Sequence, residues 1–431
     1  MSDNVPASVH RQIAALASLT AVHRAFRWLH LHQPQLRQWQ MEMLAIPAPT
    51  FSEGARAAWF LERFRALGLT NVHLDEAGNA LAELAPADAD ATRDAEPAED
   101  KPSVSPPMCV LLSAHLDTVF PAGTPSVPAE DGSRILCPGA CDNAAGLTAL
   151  LGIAAALRHA NIPPPLPILF AANVGEEGEG DLRGMRQLFL ADGTGCTDLG
   201  AGRQAYKGRI VTALALEGSG SGTVVTRALG SRRFRLTATG PGGHSWSDAG
   251  VVNPIFVLSR VLAAVAAIEL PESPKTVLSA GQIAGGTSVN SIPEQASALL
   301  DLRSTDAAQL LATEAALRHV VEVAASAPGV TIAIETIGDR PTGELAKDAP
   351  LLHTIRAVDR HLALRTEVRL GSTDANLPLS LGVPAVALGA GGSGGGIHTL
   401  QEWYDPSGRE SALQRILLIL LATLQQQVPA E

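Results

Sequence analysis

The sequence is poor in cysteine and has no obvious export signal. Only four cysteines occur in 431 residues: Cys109, Cys137, Cys141 and Cys196. Four cysteines in a chain of this length do not make the disulfide framework of a small secreted protein. The first residues, Met1 to Pro6, contain neither a basic nor an apolar segment, so no secretory signal is predicted. We therefore expect a cytoplasmic protein.

Positive charge and long apolar runs are also scarce. The formal net charge is −11, whereas binding to nucleic acid or to an anionic membrane needs clustered basic residues. The longest late apolar run, Ile416 to Ala422, is too short to cross a bilayer. We expect neither nucleic acid nor a membrane as a partner.

What the chain does contain indicates a globular protein with more than one domain. Its hydrophobic content is 46%, and a chain of this length exceeds one hydrophobic core. Strands that alternate with helices predict an α/β, doubly wound, mostly parallel sheet, with ligands at the carboxyl ends of the strands. The order changes to βαββαβ within 229–339, which predicts an inserted α+β, ferredoxin-like module between 1–228 and 340–431. Residues 86–107, rich in Pro, Ala, Asp and Glu, are predicted to be a solvated loop.

An apolar strand predicted at 108–116 carries the first candidate metal ligand. Alternation along the strand places His115 and Asp117 on one face. A neutral imidazole can bind a metal ion while a neighbouring carboxylate fixes its tautomer. The pair therefore indicates a ligand and its orienting partner.

Acids and a histidine also follow the other predicted strands and loops of the α/β domain. They are Asp142 in a glycine-bounded turn, Glu176 and Glu177 after strand 168–173, Glu217 after strand 211–216, and His398 after a glycine-rich loop. Taken singly, each is typical of a solvated turn, a helix cap or a strand end. Several strand ends that reach one sheet edge make a shared site the better interpretation.

The number of candidate ligands favours two ions over one. Two imidazoles and three carboxylates suit two divalent ions that share one carboxylate and one water, whereas a single zinc ion needs fewer protein ligands. This leaves Glu176 as a general base on the water that the metals acidify.

Five motifs together resemble the M20 family of co-catalytic zinc peptidases and deacylases, over nearly the whole chain. They are Ile46-Pro-Ala-Pro-Thr50, Ser-Ala-His115-Leu-Asp117-Thr, Cys-Asp142-Asn-Ala-Ala-Gly, Gly-Glu176-Glu177-Gly and Gly-Ile-His398-Thr. The resemblance implies two zinc ions, for which cobalt or manganese could substitute. It implies His115, Glu177, Glu217 and His398 as metal ligands, Asp142 as the bridging ligand, Asp117 as the partner that orients His115, and Glu176 as the base. It also implies a cis peptide bond at Asp142–Asn143.

The same resemblance implies that the inserted module is a lid or dimerisation domain and that the protein is a homodimer. Within the module, His244 in Gly240-Pro-Gly-Gly-His244-Ser would stabilise a tetrahedral oxyanion. Asn290 and Arg303 would bind a substrate carboxylate, a task that suits the fork of an arginine. A plain turn histidine and a salt bridge of Arg303 within the module are the alternatives.

The expected activity is hydrolysis of a peptide or N-acyl amide bond in a small peptide or N-acyl amino acid. A catalytically silent binding scaffold of the same fold is a second possibility. A third, a dinucleotide-dependent oxidoreductase, is suggested by Gly389-Ala-Gly-Gly-Ser-Gly394, which formally fits GxGxxG. That motif requires a helix to open there and an acidic residue about 20 positions later, and the sequence instead continues as a loop.

Overall fold

A computed structural model describes residues 5–86, 107–191, 206–326 and 329–427. Cys196 and almost all of the solvated loop predicted at 86–107 lie outside these ranges. The chain divides into two compact units, which we call the sheet unit (Met1–Thr226 with Glu344–Glu431) and the insert unit (Arg227–Gly343). The module predicted at 229–339 falls within the bounds of the insert unit.

The elements follow one another in three stretches. The first comprises α1 (Ala7–Ala17), α2 (Thr20–Leu31), α3 (Gln33–Leu44), α4 (Gly54–Ala66), β1 (Thr70–Leu74), β2 (Ala80–Leu84), β3 (Cys109–His115), β4 (Ala129–Asp131), β5 (Arg134–Leu136), α5 (Ala144–Ala160), β6 (Ile168–Asn173), α6 (Arg183–Leu190), β7 (Ile210–Leu216) and β8 (Thr223–Ala228). The second comprises β9 (Gly230–Thr239), β10 (Gly243–His244), α7 (Pro254–Ala266), β11 (Thr276–Gly285), β12 (Ser291–Ile292), β13 (Gln295–Ser304), α8 (Ala307–Ala324) and β14 (Thr331–Arg340). The third comprises β15 (Gly343–Glu344), α9 (Pro350–His361), β16 (Glu367–Gly371), α10 (Asn376–Ser380), β17 (Ala385–Leu388), β18 (Ser393–Gly395), β19 (Trp403–Asp405) and α11 (Arg409–Gln426).

The large sheet of the sheet unit has a parallel centre. Its strand order is β1-β2-β6-β3-β7-β17-β8-β15, with β16 also paired to β8. The neighbours β6, β3, β7 and β17 run parallel, whereas β2 and β8 join this centre in antiparallel fashion. Every residue of β3 and β6 is buried, as is typical of parallel strands covered on both faces. The predicted α/β class with a largely parallel central sheet is confirmed, while the antiparallel flanks were not foreseen.

Helix α5 fixes the turn that precedes it against this sheet. It packs on β3, β6 and β7, and α2, α3 and α11 pack on it in turn. Nearly all of its residues are buried, and most of them are alanine or leucine. Because the sheet and three helices pack against α5, the residues just before its first turn are held at the carboxyl edge of the sheet.

A small antiparallel sheet joins two distant parts of the sheet unit, with the strand order β18-β19-β5-β4. The glycine-rich stretch after β17, predicted to be a loop, therefore contains the short strand β18. Glycine has a low β propensity, which is why the sequence pattern missed this strand. The connection between β18 and β19 carries His398.

The insert unit is a four-stranded antiparallel sheet with helices on one face. The strand order is β11-β13-β9-β14, and the element order, apart from the short pair β10 and β12, is β9-α7-β11-β13-α8-β14. Its core contains Phe234, Leu236, Val257, Val261, Leu300, Leu302, Leu310 and Leu317. Alternating residues of β13 are buried in this core, so the other face of the sheet is the less buried one.

The late apolar run of the sequence lies in α11, where Ile416 to Ala422 are buried. In the described part of the chain, no helix combines the length and the apolarity that crossing a membrane requires. Beside this run, Arg415 is 0% exposed and makes a two-pronged ion pair with Asp359. The Nε–Oδ1 distance is 2.6 Å and the Nη2–Oδ2 distance is 3.2 Å.

We expect Asp359→Asn to lower the free energy of unfolding by about 3–5 kcal/mol, because it leaves the Arg415 charge buried without a counter-charge. Urea denaturation followed by circular dichroism measures this change. Glu367→Gln is the matched control, since its ion pair with Arg369 is exposed and should contribute less than about 1 kcal/mol. Equal, small losses in both variants would contradict the expectation.

Candidate metal centre

The carboxyl edge of the parallel strands gathers the predicted ligands. His115 is the last residue of β3, in register with Asn173 at the end of β6. Glu217 directly follows β7, and Asp142 lies two residues before α5. Parallel strands end at a common edge, where ligands of such sheets bind. Three of the predicted ligands, His115, Asp142 and Glu177, offer ligand atoms that all lie within 4.8 Å of one another.

The five predicted ligands form two groups that share Asp142. Its Oδ1 lies 3.1 Å from Nε2 of His115, and its Oδ2 lies 3.0 Å from Nε2 of His398. A second carboxylate accompanies each histidine. Glu217 Oε1 is 3.4 Å from His115 Nε2, and Glu177 Oε1 is 3.2 Å from His398 Nε2. Each imidazole nitrogen therefore faces two carboxylate oxygens.

The main chain of Asp117 sets the orientation of the His115 ring. His115 Nδ1 lies 3.0 Å from the Asp117 carbonyl oxygen but 3.6 Å from carboxylate Oδ1, which is too long for a hydrogen bond. An N–H donated from Nδ1 leaves the lone pair of Nε2 facing the other carboxylates. The carboxylate of Asp117, which we expected to orient the ring, remains within ion-pair distance of Nδ1 and also has other partners.

That carboxylate holds the turn with the two glutamates. Its Oδ1 accepts a hydrogen bond from the Glu176 amide at 3.0 Å, and its Oδ2 accepts one from the Glu177 amide at 2.8 Å. Oδ2 also accepts one from the Thr50 hydroxyl at 3.0 Å. Burial alone would raise the pKa of Asp117, but His115 and the two amides outweigh it and the pKa is lowered. The buried acid therefore stays charged and anchors the turn.

The glutamate turn is buried and is held from a second side. Glu176 is 5% exposed and Glu177 is 7% exposed, so the reading of the pair as a solvated turn is wrong. Glu53 Oε1 accepts a hydrogen bond from the Gly175 amide at 3.1 Å, and Asn79 Oδ1 accepts one from the amide of the preceding residue at 2.9 Å. Gly175 has a φ of +67°, a conformation that glycine adopts at little cost.

The turn with Asp142 is clamped to the end of β7. Asn143 Oδ1 accepts hydrogen bonds from the amides of Gly146, at 3.1 Å, and Gly218, at 3.2 Å. Its Nδ2 donates to the carbonyl oxygen of Leu216 at 2.9 Å. A Cβ at Gly146 would overlap that same carbonyl oxygen, so glycine permits the close approach. The Asp142–Asn143 peptide bond is cis, as predicted.

The cluster favours positive charge among its carboxylates. Hydrogen bonds to Asp142 and Glu177 raise the pKa of His398 to about 10. Burial opposes the charge on His115, but Glu217 and the hydrogen-bonded acids raise its pKa well above the ordinary value. Burial raises the pKa of Glu217 to about 7, with His115 opposing this rise. A divalent cation bound by these nitrogen and oxygen donors would supply that positive charge.

The three candidate residues of the insert unit have distinct partners. The amide of Ser245, next to His244, donates to the Asn290 carbonyl oxygen at 3.0 Å. His244 Nδ1 accepts hydrogen bonds from the amides of Trp246 and Ser247 at 3.2 and 3.3 Å. This network assigns the ring proton to Nε2, which is then a hydrogen-bond donor.

Arg303 lies on β13, where its Nε is 2.6 Å from Asp301 Oδ2. The salt bridge within the module, the alternative role of Arg303, is therefore present with Asp301.

Residues 111–426 match the family model described as peptidase family M20/M25/M40. The chain belongs to this family. It is therefore a member of a hydrolase family, with a candidate metal site at His115, Asp142 and Glu177. None of the curated proteins compared with the chain matches it.

Several solved structures share the fold. A tripeptidase from Staphylococcus aureus subsp. aureus Mu50 has a TM-score of 0.66 and 21% identity, over 91% of this chain and 98% of its own. An amidase of the hydantoinase/carbamoylase family from Burkholderia vietnamiensis has a TM-score of 0.65 and 20% identity, over 90% and 96%. The YXEP protein of Bacillus subtilis, a dinuclear metal-binding peptidase from the M20 family, has a TM-score of 0.62 and 15% identity, over 91% and 98%.

The glycine pattern at Gly389–Gly394 does not open a helix in this family member. Strand β18 begins within it, and the next helix of the described chain, α11, begins at Arg409. A dinucleotide site requires a helix directly after the glycines. The oxidoreductase alternative is therefore wrong.

Several residues that support the site were missed by sequence reasoning. They are Thr50, Glu53, Asn79, Asn143 and Glu402. Most of them accept hydrogen bonds from backbone amides of segments that are distant in sequence. The spacing of residues along the chain does not predict such contacts. One signal was available, because Glu402 follows His398 by only four residues.

We expect added zinc or manganese to raise the melting temperature of the metal-free protein, because an ion that binds only the folded state stabilises it. At a free ion concentration about 100 times the Kd, the gain is about 2.7 kcal/mol. Asp142→Asn should lose most of this gain, since both groups share Asp142, whereas Asp131→Asn, an exposed acid of β4, should keep it. Scanning calorimetry with and without the ion measures the difference; an equal gain in both variants would exclude Asp142 as a shared ligand.

Proposed function

We propose that the protein is a dinuclear metal-dependent hydrolase that cleaves a peptide or N-acyl amide bond in a small substrate. Zinc is the expected ion, and cobalt or manganese also suits these donors. The observation that carries the proposal is the division of the five acids and histidines into two groups around Asp142.

Each group would hold one ion. His115 and Glu217 would bind one and His398 and Glu177 the other, and Asp142 would be shared between the two groups. Three protein ligands for each ion leave positions open, as in catalytic zinc sites. When bound, the two ions would acidify a water and polarise the scissile carbonyl group.

Glu176 would act as the general base. It precedes a proposed ligand directly, and its amide is tied to the buried Asp117 carboxylate. We propose that its carboxylate takes a proton from the attacking water and delivers it to the leaving amine nitrogen. One group can serve both steps, because the proton gained in the first is the proton needed in the second.

The insert unit would supply groups for the carbonyl oxygen and for the substrate carboxylate. The assigned Nε2–H of His244 suits hydrogen bonding to a developing oxyanion, and the backbone bonds to Nδ1 support this tautomer. Asn290 and Arg303 would bind a substrate carboxylate. For Arg303 this requires the substrate to take the place of Asp301, which now pairs with it.

The substrate class follows from this chemistry and from the relatives. Solved structures of the same fold include a tripeptidase and an amidase, so a peptide and another amide are both candidates. A catalytically silent scaffold is disfavoured by the presence of the complete set of ligands together with Glu176. Amide hydrolysis that a chelator abolishes would distinguish the enzyme from the scaffold.

We also propose a homodimer through the insert unit. Strand β11 lies at the edge of its sheet, and an open edge with apolar side chains is a ready surface for a second chain. Ile283 on this strand is 63% exposed, and Phe256 on α7 is 67% exposed. Pairing of two such edges would cover the exposed strand. The protein is expected to work in the cytoplasm.

We expect Glu176→Gln to reduce kcat by at least about 10²-fold, the usual contribution of a general base, while two ions per chain remain bound. Glu177→Ala should instead lose metal. Turnover of a dipeptide and N-acyl amino acid panel, together with metal analysis, measures both. Glu179→Gln, an exposed acid in the same segment, is the matched control and should behave like the unaltered protein. Full turnover in Glu176→Gln would refute the assigned base.

We expect Ile283→Asp to convert the dimer to a monomer, because it places a charge on the apolar edge strand. Sedimentation velocity measures the mass of the particle. Val368→Asp introduces the same charge at an exposed apolar residue on β16 of the sheet unit, where the valine is 51% exposed, and should leave the dimer intact. A dimer that persists in Ile283→Asp would place the interface elsewhere.

A further inference from the structure

One buried acid next to the centre belongs to neither group of ligands. Glu402 is 1% exposed, and its carboxylate accepts three backbone hydrogen bonds. The Gly139 amide donates to Oε2 at 2.8 Å, and the amides of Cys141 and Asp142 both donate to Oε1 at 2.8 Å. All three donors belong to the turn that carries the shared Asp142.

The main chain of Glu402 is itself fixed. Its carbonyl oxygen accepts a hydrogen bond from the Cys137 amide at 3.1 Å. The next residue, Trp403, begins β19 and pairs with Leu136 of β5 and with Gly395 of β18. Glu402 therefore belongs to the rigid base of the hairpin whose tip carries His398.

The hairpin and the Asp142 turn also touch directly. A Cβ at Gly394, on β18, would overlap the Cys141 side chain. Close packing at this point brings the two segments together, and the Glu402 carboxylate then joins them by hydrogen bonds to a charged acceptor, which are stronger than neutral ones.

We propose that Glu402 is a positioning residue that holds Asp142 and His398 in the relative placement that the two ions require. Glu402 is linked to Asp142 by the hydrogen bond from the Asp142 amide. It is linked to His398 because both residues lie in the connection between β18 and β19. It does not touch the reacting atoms. This proposal rests on the metal centre of the proposed function.

The chemistry of a carboxylate is needed at this position. A glutamine of the same size has one acceptor oxygen, and its NH2 group would face one of the backbone N–H donors. Glu402→Gln therefore breaks part of the tether with little change in volume. Glu402→Asp keeps both oxygens but shortens the reach by one methylene group.

The test compares the ion affinities of metal-free protein by calorimetric titration with zinc and by the absorption spectrum of bound cobalt. Loss of a group that orients metal ligands typically weakens metal affinity by about 10–100-fold. We expect this loss in Glu402→Gln, a smaller loss in Glu402→Asp and an altered cobalt spectrum in both. Glu130→Gln, an exposed acid of β4 in the same small sheet, is the control and should match the unaltered protein. Excess metal should restore kcat in the Glu402 variants.

An affinity within about threefold of the unaltered protein in Glu402→Gln would overturn the proposal, even if the variant melts at a lower temperature, since that pattern indicates a purely structural role. Should Glu402→Gln fail to fold, Glu402→Asp is judged by the same criterion. An unaltered protein that binds no metal would instead refute the proposed function, so the two failures are distinguishable.

Discussion

The structure of the centre depends on the sharing of one carboxylate between two imidazoles. The oxygens of Asp142 face Nε2 of His115 and Nε2 of His398 at almost equal distances, 3.1 and 3.0 Å. With Glu177 and Glu217 close by, the acids outnumber the histidines, and the raised pKa values of both imidazoles express the need for positive charge. An excess of negative charge at a buried edge is stable only with compensation, and divalent ions held by these residues would provide it.

Most of the surrounding structure serves to hold these few groups in place. Asn143 ties the start of α5 to the end of β7, Asp117 ties β3 to the glutamate turn, and Glu402 ties the Asp142 turn to the β18–β19 hairpin. In each case a buried polar side chain accepts hydrogen bonds from backbone amides of another segment. Asn143 also donates one to a backbone carbonyl oxygen. Such groups are costly to bury unless their bonds are made, so each constrains the geometry of both segments it joins.

The two units contribute different kinds of parts. The sheet unit brings together the proposed ligands and the proposed base, all on strand ends or turns backed by a buried sheet. The insert unit carries His244 on the short strand β10 and Arg303 on the long strand β13. The hydrogen bonds to Nδ1 of His244 leave its Nε2 as a donor. The proposed metal chemistry thus lies on the edge of a buried sheet, while the groups that we propose for substrate recognition belong to a separate compact unit.

The sequence by itself determined the α/β class, the insertion and the list of candidate ligands, because strand periodicity and acids at strand ends are local signals. It predicted His115, Asp142, Glu177, Glu217 and His398 as a set, and the structure brings these five together. Only the tertiary structure decided how they divide into two groups around Asp142. It also decided that the nearest acceptor for His115 Nδ1 is the main-chain oxygen of Asp117, at 3.0 Å, with the Asp117 carboxylate farther away at 3.6 Å. The roles of Asn143 and Glu402 emerged only there as well. These outcomes depend on hydrogen bonds between segments far apart in sequence, and the pattern of residues along the chain does not encode their distances.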